Sequence, residues 1–237
     1  MRWIESVGST NSWVREHEAE VAPLEMICAR EQTAGRGQRG NTWEAEPGKN
    51  LTFSFLLREP PVAPAAQFAV SEAVALAMTS LLADYGITAR VKWPNDIYAG
   101  DRKICGILIE NSIMGSVLTR CIAGVGLNVN QRQFLSNAPN PVSMALLTGR
   151  EYDLDEVGER LESRLREYVE RLEEPDELHK EYQGRLWRLD GRRHRFREAA
   201  TGEEFEAVVE GVEPSGHLRL LTEEGERLFA FKEVAWL

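Results

Sequence analysis

Thirteen residues, Arg30 to Thr42, carry three glycines and three arginines and almost no apolar side chain. Each interior glycine costs a helix about 1 kcal/mol relative to alanine, and arginines have no place in a buried strand. The stretch therefore reads as a loop. Before it, Leu24 to Ala29 is a short apolar run fit for a buried strand; after it, Thr52 to Leu57 reads as another. The fold must accordingly be one in which two core strands present a long cationic loop to solvent.

The remaining pattern fills in an α+β architecture. Ser9-Thr10-Asn11 starts a helix, and Ala65 to Tyr85 is an alanine-rich helix closed by Gly86. Strands are expected at Ile87–Val91, Lys103–Asn111 and Val117–Val125, with turns at Ala99–Arg102 and Met114-Gly115. Beyond Pro141, Leu154, Val157, Leu161, Leu165, Val169 and Leu172 recur at helical spacing, with Asp153 and Glu156 as a capping pair. Glu177 to Leu186 is a second helix. From about Asp190 the helical period disappears, and short strand-like runs appear at His194–Arg197, Phe205–Val209, Leu218–Leu221 and Leu228–Phe231. The expectation is an α+β domain over 1–188 and a small β barrel over 189–237 with a core of its own.

Composition sets outer limits. The 237 residues are 43% hydrophobic and 28% charged, which excludes disordered and fibrous classes. A chain of this length buries roughly 70–75% of its unfolded surface and needs no disulfide or metal staple. A net charge of −10 argues against coating nucleic acid, although a local basic patch can still bind phosphates. Cys28, Cys105 and Cys121 are far apart in apolar runs, as expected for buried free thiols in a reducing compartment. The N-terminus has no signal-peptide core, and Val62–Leu82 is interrupted by polar residues, so it reads as a core helix rather than a membrane span. A cytoplasmic protein is expected.

Three blocks have the composition of a site. In the first, Gly35, Gly37 and Gly40 satisfy G-x-G-x-x-G formally, but polar residues precede them and Trp43 and Pro47 follow, so the dinucleotide fingerprint fits badly. What remains is a basic loop whose backbone N–H groups can approach an anion, with Arg36 and Arg39 to fork onto carboxylate or phosphate oxygens and Trp43 as an apolar wall. Read alone, it is equally a solvated surface loop. In the second, Trp93-Pro94 breaks regular structure and displays Asn95 and Asp96, which suit Mg²⁺ or a simple turn; Lys103 opens an apolar strand, as an anion ligand or a strand-end charge. In the third, Gly124-Val125-Gly126-Leu127-Asn128 follows an apolar strand, marking close approach to a ligand or a bend. Gly48-Lys49-Asn50 is no P-loop, the four histidines lack metal-ligand spacing, and no serine or cysteine nucleophile motif is present.

Taken in order, Ser9-Thr10-Asn11, Gln32 to Trp43, Lys92 to Asp96, Asp101 to Gly106 and Gly124 to Asn128 resemble the biotin–protein ligases. The resemblance implies a mixed-sheet catalytic domain with an SH3-like C-terminal barrel, and a two-step reaction. Biotin and MgATP give biotinyl-5′-AMP and pyrophosphate; a lysine of a biotin carboxyl carrier domain then attacks the acyl-adenylate. Carried over position by position, Ser9, Thr10, Asn11, Gln32, Gly35, Arg36, Gly37, Gln38, Trp43, Lys103 and Gly106 would bind biotin. Arg39, Lys92, Asn95, Lys103, Gly124, Gly126 and Asn128 would face ATP or the adenylate. Lys103, Asp96 and Arg36 would be catalytic, with Asp96 either a Mg²⁺ ligand or a proton acceptor. Biotin's carboxylate is already ionised at neutral pH, so the first step needs no general base; it needs two anions held together by cations.

Gln38 and Asn41 stand where the ligase pattern has arginines, so the adenylate is expected to escape faster than from the usual loop. The first block begins at Ser9, which leaves no room for a winged helix-turn-helix; a ligase that is not a DNA-binding repressor is expected, with no membrane partner. The resemblance also allows a homodimer through the sheet around Lys103–Val125. A lipoate ligase or a non-catalytic biotin sensor are the competing readings.

Overall fold

The computed structural model describes residues 1–135 and 140–237, with Arg39 described by its backbone alone. Strands β1 (Arg2–Val7), β2 (Ile27–Gln32), β3 (Leu51–Arg58), β4 (Arg90–Lys92), β5 (Asp96–Ala99), β6 (Arg102–Met114) and β7 (Val117–Leu127) form one mixed sheet, ordered β1-β2-β3-β7-β6-β5-β4. β1 and β2 are parallel, and every other pair is antiparallel. Helix α1 (Thr10–Glu16) covers one face, where Val14 packs with Ile27, Leu56 and Ile122. Helices α2 (Phe68–Asp84), α4 (Leu154–Glu170) and α5 (Pro175–Gly184) cover the other, and a short α3 (Met144–Thr148) lies between β7 and α4 in sequence. Strands β8 (Arg193–Glu198), β9 (Glu204–Val212), β10 (Leu218–Thr222), β11 (Gly225–Phe229) and β12 (Val234–Trp236) make a second antiparallel sheet, ordered β11-β10-β9-β8-β12, consistent with an SH3-like module. The α+β fold class is as expected.

The period of two along β3, β6 and β7 divides core from site. Phe53, Phe55, Cys105, Ile107, Ala123 and Val125 enter the large core under α2. Their neighbours Thr52, Ser54, Gly106, Leu108, Gly124 and Gly126 face the α1 side. The helical stretch Pro64–Asp84, which contains α2, is long and apolar enough by length and composition to cross a membrane, yet 72% of that window is buried inside this molecule. It is the central core helix, as its interrupting polar residues suggested. One of them, Glu72, is 2% exposed; burial pushes its carboxyl up, and His179 of α5 answers it at 2.6 Å. The three cysteines are free and buried, and burial raises the Cys121 thiol to about 12.

Several expectations need correction. Leu24 has φ 59°, so β2 begins only at Ile27, and parallel pairing with β1 carries it on to Gln32, through residues read as loop. Ile87 belongs to the end of α2, where its N–H bonds Leu82 O and Gly86 takes φ 73°; β4 therefore starts at Arg90. β1, β5 and β12 lie outside the strands the sequence pattern predicts, and Asp96 opens β5 rather than hanging in a turn. Asp153 caps α4 through Oδ1 to the N–H groups of Asp155 and Glu156.

The apolar residues of the second sheet join the main core. Phe196, Val209, Leu220 and Phe229 are continuous with the core under α2. The join is tight: Gln183 of α5 clamps Val212 by both backbone groups, and a Cβ on Gly216 would lie 2.8 Å from the Phe68 ring.

Candidate functional site

On the α1 face of the sheet, antiparallel register aligns Thr52, Gly126, Gly106, Asp96 and Lys92 in one row across five strands. A second row sets Ser54 beside Gly124 and Leu108. These rows floor a cavity of about 300 Å³. The paired glycines leave space that Trp43 fills, since a Cβ would fall 2.2 Å from its ring at Gly126 and 3.0 Å at Gly106. The glycine loop forms the opposite wall. It folds on itself through Gly37 N–H to Asn41 O and Trp43 N–H to Gly35 O, with a 3₁₀ turn at Gln38–Gly40.

One end of the cavity is neutral and rich in hydrogen bonds. Gln32 Oε1 accepts from the Thr10 backbone at 2.8 Å and its hydroxyl at 3.1 Å. Ser54 Oγ lies 2.6 Å from Thr10 Oγ1 and 2.5 Å from Asn11 Oδ1. Ser9, Thr10 and Asn11 are buried because α1 starts against β3, so this network is fixed before any ligand arrives.

The other end is cationic. Lys103 Nζ pairs with Asp96 Oδ1 at 2.7 Å and lies 5.8 Å from the Trp43 ring centroid. By strict alternation Lys103 would share the core side with Cys105. Tyr98 pairs with Lys103 while Ile97 pairs with Cys105, so β6 carries an extra residue, the buried Ile104, and this bulge turns Lys103 toward the cavity. Lys92 donates to Tyr98 OH at 3.1 Å and sits over the Tyr98 and Trp187 rings at 4.5 and 4.9 Å. Burial holds its ammonium below the usual lysine range, and the nearby Asp96 charge opposes that shift. Asn95 is held by a bond from Nδ2 to Ile107 O at 2.8 Å.

Ser9, Thr10, Asn11, Gln32, Arg36, Gly37, Gln38 and Trp43 all line this cavity, as do Lys92, Asn95, Asp96, Lys103, Gly106, Gly124 and Gly126. Gly35 lies behind it, pressed under the Trp43 carbonyl, where a Cβ would come within 2.5 Å. Asn128 is not in the lining: β7 ends at Leu127, and the buried Asn128 amide ties that end to Val142 O at 3.0 Å. The Arg39 side chain lies outside the described residues.

The sequence blocks also missed part of the wall. Thr52 and Leu108 carry no motif, Val234 and Trp236 come from the second sheet, and Phe231 comes from the turn between β11 and β12. Trp93 docks that sheet here, donating to Gly216 O at 2.8 Å and accepting from Trp236 Nε1 at 3.2 Å. Alternation along β3 and β6 was enough to find Thr52 and Leu108; nothing local signals the second-sheet residues. Among the described residues, no group of three His, Cys, Asp or Glu side chains is placed to hold a metal. Asp96 is the one carboxylate in the described lining.

The sequence matches the Biotin/lipoate A/B protein ligase family over residues 3–128. It is 33% identical over 135 residues to the bifunctional ligase/repressor BirA of Escherichia coli (strain K12), covering 56% of this chain and 42% of that protein, so the match spans less than half of that relative. Against BirA of Salmonella typhimurium (strain LT2) the identity is 30% over 222 residues, covering 92% of this chain and 68% of that one. The fold superposes on the biotin protein ligase from Aquifex aeolicus in complex with biotin and ATP with a TM-score of 0.81 and 26% identity, over 98% of this chain and 96% of that chain. Matched by the family over more than half of its residues and by a relative along nearly its whole length, the chain belongs to the biotin/lipoate A/B protein ligase family.

Proposed function

We propose that this chain is a biotin–protein ligase: it joins biotin to ATP as biotinyl-5′-AMP and passes the biotinyl group to a lysine of a biotin carboxyl carrier domain. One observation carries the reading. The cavity has a neutral end of Ser, Thr, Asn and Gln groups, an indole wall, and a cationic end at Lys103 and Lys92. A molecule with an uncharged cyclic urea, an apolar chain and a terminal carboxylate matches that order.

In the first step a biotin carboxylate oxygen attacks the α-phosphorus of ATP and pyrophosphate leaves. Lys103 attracts both anions and brings them together, and Lys92 and Arg36 add charge at the mouth. Asp96 is the carboxylate available to hold Mg²⁺, which takes one or two carboxylates plus phosphate oxygens and would neutralise the departing pyrophosphate. In the second step the acceptor lysine's amine attacks the acyl carbon, AMP leaves with the bonding pair, and Asp96 accepts the amine's proton. A neighbouring cavity of about 430 Å³ shares Gln38, Pro94, Asn95, Ile107 and Phe231 with the first, and among the described residues no Lys, Arg, Asp or Glu lines it. We assign it to the incoming lysine. Three buried free thiols suit a reducing cytoplasm.

The test is biotin-dependent pyrophosphate release from ATP, beside Lys103→Ala and a lipoate control. The wild type should turn over with biotin alone, and Lys103→Ala should lose about 10²–10³ in kcat/KM, as when one preorganised donor to a developing charge is removed. Turnover with lipoate instead would reassign the pocket, and tight biotin binding without turnover would make the chain a sensor.

A further inference from the structure

Glu110 lies on β6 two residues past Leu108, on the face that bears the cavity, and no sequence block includes it. Its carboxylate gathers groups from α1 and from the glycine loop. Oε1 pairs with Arg15 at 2.8 Å, and Oε2 accepts from Asn11 Nδ2 at 2.8 Å. Arg36 reaches the same two oxygens at 3.4 and 3.2 Å. The α1 contacts are short and fix the carboxylate. The Arg36 contacts are long, and that side chain is 40% exposed, so the pair is easily exchanged.

We propose that Glu110 is a positioning residue that parks the Arg36 guanidinium at the cavity mouth until an anionic ligand takes it over. The inference rests on the adenylate-forming reading above. An arginine between two glycines would otherwise sample many conformations, all lost when a ligand immobilises it. Parking removes much of that cost in advance. When a carboxylate or phosphate draws Arg36 away, Arg15 and Asn11 stay on Glu110, so its half-buried charge keeps its partners. The same contact orients Asn11, whose Oδ1 meets Ser54, and through Ser54 the order reaches Thr10 and Gln32.

Glu110→Gln keeps the shape and an acceptor for Asn11 but removes the charge. It should raise KM for biotin about tenfold with kcat within about twofold, the effect of losing one charge-assisted contact that acts in binding. Arg36→Ala should lose at least as much, and the double variant no more than Arg36→Ala, because the two residues act as a unit. Trypsin should cut after Arg36 several-fold faster in unliganded Glu110→Gln than in wild type, a readout independent of turnover. Glu110→Asp, which keeps the charge, should recover most of the resistance to trypsin. Additive losses in the double variant, unchanged cleavage, or equal lability of the Asp and Gln variants would overturn the proposal. Faster cleavage in Glu110→Gln with recovery in Glu110→Asp, but no biotin-dependent turnover in the wild type, would sink the reaction and leave the parking of Arg36 standing.

Discussion

Gln38 sits in the cavity lining, where the ligase pattern has an arginine, and it brings a neutral amide. An amide gives a phosphate oxygen an ordinary hydrogen bond, whereas a guanidinium gives a charge-assisted fork roughly twice as strong. Gln38→Arg should therefore slow release of biotinyl-AMP, by about tenfold for a gain of one such contact. Single-turnover trapping of the free adenylate measures this, and an unchanged release rate would show that the loop's remaining cations already suffice. Most of the cavity's polar residues could be named from sequence, because they sit in compact blocks of unusual composition. Glu110 could not, since its role arises from Arg15, Asn11 and Arg36 converging on it from other elements.

Helix α4 announces itself by period and by its Asp153 cap; what holds it to α2 is less visible. Arg164 forks onto Asp84 through two bonds of 3.0 and 2.8 Å. The Arg164 hydrogen bonds keep the Asp84 carboxyl below its usual 3.8. With a folded pKa beneath the unfolded one, the pair's contribution is present above the unfolded value and disappears as pH falls through the folded one. Asp84→Asn should thus cost roughly 0.5 kcal/mol near neutrality, scaled for a partly exposed pair. Thermal melts should converge with wild type as pH falls through the folded pKa, once the carboxyl is protonated in both states. A constant difference at all pH values would mean that shape rather than charge links the helices. Short elements were harder to read than long ones. β5 is four residues between Pro94 and Gly100, too brief for a period to establish itself, and the bulge at Ile104 that aims Lys103 has no signature in a continuous apolar run.

Across the whole molecule, the change of pattern near Asp190 reads correctly as a change from helices to short strands, but it gives no sign that the apolar cores on either side are continuous. Local patterns carry no information about which apolar faces meet, and Trp93 contacts Gly216 and Trp236 across a long stretch of chain. Because the core is continuous, calorimetry should show one unfolding transition with equal calorimetric and van't Hoff enthalpies. Two resolved transitions would mean that the second sheet folds as a separate unit. The same continuity bears on how such a chain drifts among its relatives. Phe68 and Gly216 occupy a single volume between them, so a side chain can appear at 216 only in a lineage whose ring at 68 has already shrunk. History at this join is written in paired changes, and residues 189–237 exchanged with a relative would arrive as half of a fitted surface.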